Sequence, residues 1–180
     1  MKSKKLIPLL MLLCFVLFGS AITFAGQSFW GTIWAGQTIY AGEYNVYTSG
    51  DNLYVKIIPL YDWKLTEVHV HANVSPPPVN GPGNPKIGKF MWSDEFEPTP
   101  DPYTFVIPFS TTGASAGQAI YLAIHVVVVQ TDEWGEIIED ETGWGGPCGS
   151  GGRWNPRTDD LPDGFFNWGR RWGYCFLYVL

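Results

Sequence analysis

Positive charge is scarce in this chain. Its 180 residues carry eleven Lys and Arg against seventeen Asp and Glu, a formal net charge of −6. Nucleic-acid binding needs a basic face, so nucleic acid is not an expected partner. Histidine and cysteine are also few, at three each. No phosphate loop occurs, which removes the commonest nucleotide signature. The catalytic strand motifs of small jelly-roll xylanases are missing too. No stretch after the first 25 residues has an amphipathic helical period, so a helical bundle is excluded.

What is abundant is aromatic and turn-forming: nine Trp, nine Tyr, eleven Phe, 21 Gly and 14 Pro. Short β-branched runs between Gly and Pro clusters predict an all-β fold. Residues 1–25 stand apart. Lys2, Lys4 and Lys5 precede an apolar run from Leu6 to Phe18, and small residues follow up to Ala25. This is the pattern of a secretory signal peptide cleaved after Ala25, with no membrane association afterwards. The expected location is secreted or at the cell surface. The mature chain, 26–180, is the size of one domain with a good core. It keeps eight basic and seventeen acidic side chains, about −9.

Strand patterns recur along that domain. Glu43 to Thr48 and Leu53 to Ile58 flank a Ser-Gly-Asp-Asn turn and predict a hairpin. Lys64 to Ala72 alternates strictly, with Glu67, His69 and His71 on one side and Val68, Val70 and Ala72 on the other. Gln118 to Gln130 is apolar on both faces, the mark of a central, covered strand. Asp132 to Glu136 reads as a hairpin tip with Ile137-Ile138 returning. Trp172 to Val179 alternates as a closing strand. Ser75 to Pro102 is Pro-rich and predicted irregular, ordered over a sheet or a sheet edge by Phe90, Met91, Trp92 and Phe96. Eight to ten strands in about 155 residues predict a two-sheet antiparallel β-sandwich, jelly-roll or Ig-like, with long Pro/Gly-rich loops.

Four constellations are candidates for chemistry. The first is the polar cluster Glu67, His69, His71 and His125, joined by Glu141. It offers imidazole and carboxylate ligands for a transition metal, and hence a metal-dependent enzyme, although no cupin glutamate follows. Set against its flanking sequence, it reads instead as a polar seam in the core, with Glu67 and His69 holding loops near Glu141 and Trp144. Glu67 opposed by Glu97 or Glu141 would be the carboxylate pair of a glycosidase, but no spacing selects one. The second is Asp159, Asp160 and Asp163, an acidic turn that fits calcium better than the other acidic clusters do.

The third is aromatic. Trp30, Trp34, Trp92, Trp134, Trp144 and Trp154 lie near Gly-rich turns. Exposed indole faces stack on sugar rings, and Trp92, Trp134, Trp144 and Trp154 are taken as ligand-binding candidates. The fourth is the pair Cys148 and Cys175. In an exported chain it suggests one disulfide closing a loop of roughly 27 residues, worth about 3 kcal/mol.

Four fragments together resemble a β-rich module of exported and surface bacterial proteins. They are Trp63–Val70, Tyr121–Val128, Glu141–Gly145 and Trp172–Tyr178. The resemblance spans roughly Thr38 to Leu180. It implies a secreted β-domain with Glu67, His69, His125, Glu141 and Trp144 as its marked positions, and it implies no particular activity. The chain departs from that pattern in its Gly145 to Asp163 insertion and its cysteine pair. The resulting expectation is a non-catalytic binding module at the cell surface, with carbohydrate as the preferred ligand. The alternative is a structural subunit of an extracellular assembly, using Gln27 to Ala41 for strand addition to a neighbouring surface protein.

Overall fold

The computed structural model describes residues 28–81, 83–146, 165–167 and 173–180, the segment 165–167 by its backbone only. Ten strands follow in chain order: β1 (Phe29–Ala35), β2 (Ile39–Ser49), β3 (Asn52–Pro59), β4 (Lys64–Asn73), β5 (Trp92–Thr99), β6 (Tyr103–Pro108), β7 (Ala119–Thr131), β8 (Ile137–Gly146), β9 (Phe165–Asn167) and β10 (Tyr174–Val179). A single helical turn, α1 (Phe109–Thr112), follows β6 and ends on Gly113 in the left-handed region.

The all-β expectation holds. The strands hydrogen-bond as one antiparallel sheet, ordered β5-β4-β7-β8-β1-β2-β3-β6, with β10 paired to β7 and β9 to β10. That sheet is nearly closed into a barrel, where the sequence suggested two separate sheets. Strand count cannot separate the two, because both need the same alternation. Closure shows at the ends of the path. β5 and β6 form no ladder, yet the Tyr103 hydroxyl on β6 donates to Asp94 Oδ2 on β5 at 2.6 Å. The Tyr103 ring also stacks on Phe96, with centroids 5.2 Å apart.

The alternating strands deliver their apolar sets to one interior. Leu53, Val55 and Ile57 of β3 meet Val68, Val70 and Ala72 of β4, Ile120, Leu122, Ile124, Val126 and Val128 of β7, and Phe176 and Tyr178 of β10. Tyr44 of β2 lies fully buried among them and donates its hydroxyl to the Gly146 carbonyl at 2.9 Å. Its ring stands where a side chain at residue 31 would be: a Cβ there would lie 2.1 Å from it, so only glycine fits at Gly31.

Strict alternation in β4 breaks once. Both of its ladders shift register between Leu65 and Glu67, making Thr66 a bulge. The bulge puts Leu65 in the core on the same side as Val68, Val70 and Ala72, and leaves Glu67, His69 and His71 outside. β5 lies inside the segment expected to be irregular. It is an edge strand, paired only to β4, and carries Pro98, which an edge tolerates.

Candidate functional site

β7 positions the polar cluster. It is hydrogen-bonded on both edges, as its two apolar faces predict. Register sets Ser93, His69, His125, Trp144, Trp34 and Tyr40 side by side in one row across β5, β4, β7, β8, β1 and β2. The row lies on the outer face of the near-barrel. The His69 and His125 ring centroids are 5.7 Å apart, and His125 meets Trp144 edge-on at 4.9 Å.

Each imidazole has a structural task. His69 Nε2 donates to Glu67 Oε1. His71 Nε2 donates to the Ser75 carbonyl at 2.9 Å, fixing the start of the long loop. His125 has no hydrogen-bond partner among the described residues at Nδ1, nor do the Nδ1 atoms of His69 and His71. In a neutral ring whose Nε2 donates, Nδ1 is a bare acceptor, the less costly atom to bury. Burial lowers the pKa of His125 to about 3, and neighbouring His69 adds to the shift. Burial also lowers that of His71, against the Ser75 bond, which raises it. Both rings are therefore neutral at pH 7.

The cover over these rings is the end of the 75–91 segment. Phe90 packs with Ala123, Trp144, Tyr174 and Cys175 in a second, smaller cluster on the outer face. The Phe90 ring lies 5.8 Å from His71 and 6.2 Å from Trp144, centroid to centroid. Phe90 thus anchors the segment, as the sequence suggested, and His71 holds its start.

Glu141 does not join the cluster. It pairs with Val128, whose side chain is in the core, whereas Glu67 pairs with Val127 on the other face. The Glu141 carboxylate instead reaches the turn at Gly36, 3.1 Å from where a Cβ there would be. A Glu67–Glu141 glycosidase pair is thereby ruled out on geometry. The sequence reading missed Glu95, which lies directly opposite Glu67 on β5. The signal was present: Ser93, Glu95 and Glu97 alternate with Trp92, Asp94 and Phe96.

Among the described residues, no three His, Cys, Asp or Glu side chains are arranged to hold a metal ion. Glu67 is spent on His69, and His71 points to a carbonyl. Asp159, Asp160 and Asp163, the expected calcium ligands, lie outside the described residues, as do Trp154, Cys148 and residues 1–25, the expected signal peptide. Cys175 is a buried thiol, not bonded to another cysteine among the described residues, and burial pushes its pKa up to about 12.

The three described tryptophan candidates part company. Trp144 is buried in the outer cluster, and Trp92 is partly buried against the main core. Trp134 is 79% exposed at the β7–β8 tip. Its turn is held by Asp132, whose Oδ1 accepts from the backbone N–H of Trp134 and of Glu136, each at 2.9 Å. The Gln27 to Ala41 segment is not free to add to a neighbour as a whole. β1 is paired to β2 along its length and to β8 over Thr32–Ala35. No protein-family model matches the chain, and neither does any curated protein or solved structure.

Proposed function

We propose that the protein is a secreted, non-catalytic binding module that works at the cell surface, with carbohydrate as its ligand. One observation carries the reading: Trp134 presents its indole to solvent on a turn braced by Asp132. A flat apolar ring presented from an ordered turn can stack on a sugar ring. Glu133 and Glu136, both exposed beside it, supply acceptors for sugar hydroxyls. The buried imidazole row then serves the scaffold, and no nucleophile or paired carboxylate is needed. In this reading β5-β4-β7-β8 and β1-β2-β3-β6 act as two facing halves of a flattened barrel, close to a sandwich. Export would favour the Cys148–Cys175 bond, and Asp159, Asp160 and Asp163 remain the calcium candidates.

The test is pull-down on insoluble polysaccharides with tryptophan-fluorescence quenching by soluble glycans. Binding that disappears in Trp134→Ala, with the fold retained by circular dichroism, supports the reading. Absence of binding across a broad glycan panel, with and without calcium, overturns it.

A further inference from the structure

β8 has two different edges. Along one it pairs with β7 from Ile137 to Trp144, with a register shift at Ile138. Along the other, β1 joins it only at Gly143–Gly146. At Ala35 the chain turns away through Gly36 and Gln37, both at positive φ, and its last tie to β8 is Gly36 N–H to the Thr142 carbonyl at 3.1 Å. From Ile137 to Glu141 no described strand lies along that edge. At about 3.4 Å per residue, this leaves a run of roughly 17 Å of sheet edge that is unpaired among the described residues.

The free run is both apolar and acidic. Ile137 and Ile138 are 55% and 65% exposed. Glu139, Asp140 and Glu141 follow them, and Asp132, Glu133 and Glu136 precede them, with no Lys or Arg between residues 132 and 146. Lys64 of β4, on the far side of β7, is held to Thr131 Oγ1 at 2.5 Å.

We propose that this edge of β8 is a strand-addition site for an extended, basic segment of another protein. An unpaired edge supplies main-chain hydrogen bonds to an incoming strand, and alternate side chains choose it. Two copies of this edge would set carboxylate against carboxylate, which disfavours self-pairing. A strand alternating Lys with β-branched residues can set its lysines beside Glu139 and Glu141 on one face and its apolar residues beside Ile137 on the other. Charge on an edge commonly keeps sheets apart; here, charge of a single sign also selects the partner. This site is separate from the glycan reading, since it uses the main chain of residues 137–141 and not the Trp134 ring.

The probes are two seven-residue peptides, one alternating lysine with valine and the other glutamate with valine. Calorimetric titration should show the lysine peptide binding at least tenfold more tightly, with the gap narrowing in high salt. Hydrogen exchange should slow in residues 137–142 when it binds. The double variant Glu139→Lys, Glu141→Lys should invert the preference, while Trp134→Ala should leave it unchanged and remove only glycan binding. Equal binding of both peptides, protection elsewhere, or indifference to the charge reversal would each overturn the proposal.

Discussion

His69 and His125 stand directly opposite each other on β4 and β7, and their rings lie 5.7 Å apart on the covered outer face of the sheet. Two imidazoles so placed cannot both be charged without strong repulsion. Burial adds a larger cost for His125, whose pKa falls to about 3.

Acid should therefore unfold the protein early. A histidine with a depressed folded pKa stays neutral in the fold while the unfolded chain takes up a proton below about 6.5. Stability is complete above that value and is lost as pH falls from about 6.5 towards 3, by up to about 1.4 kcal/mol per pH unit for His125. His71, lowered in the same direction, steepens the loss. Urea unfolding at pH 7, 5 and 4 measures it. His125→Phe should flatten the slope, and an unchanged slope would mean that His125 is not buried neutral.

Glu67 and Glu95 face each other across β4 and β5, a like-charge pair. Glu95→Lys should raise stability by about 0.2–1 kcal/mol, seen as a higher urea midpoint at low salt and a smaller gain at high salt.

Tyr44 fills the space beside Gly31. Gly31→Ala should cost on the order of 1–3 kcal/mol by forcing that fully buried ring aside. Thermal unfolding of this variant, compared with Gly50→Ala at an open turn, separates crowding from backbone effects.

Phe90 ties the 75–91 segment to the outer face. Phe90→Ala should cost about 3 kcal/mol or more. Limited proteolysis should then cut first within residues 75–91, whereas the native protein resists there.

Much of this fold was legible because alternation is a local signal. β4, β7, β10 and the β2–β3 hairpin follow from period-two patterns, and the shared face of Glu67, His69 and His71 was readable from spacing alone. β5 was not: its outward residues Ser93, Glu95 and Glu97 are polar, Pro98 interrupts it, and an edge strand needs only a few apolar anchors. The bulge at Thr66 was hidden as well, since Leu65 and Val68 reach one face only through a backbone shift. Nor could spacing tell Glu141 from Glu67. One register step on β7, Val127 against Val128, decides which side of the wall each carboxylate occupies. Among the tryptophans, exposure depends on what packs above, so Trp144 and Trp134 were alike in sequence and opposite in the structure.

β7 divides its second edge between two strands. β8 takes His125–Thr131 and β10 takes Ala119–Leu122. During folding the first claim is settled by a nearby hairpin, the second only after about fifty more residues have been brought back. Until Phe176 and Tyr178 arrive, the wall beside Ile120 and Leu122 has a gap, and the interior stays open to water there. Pairing of β10 thus completes that wall by a long-range step, and that step should set the refolding rate.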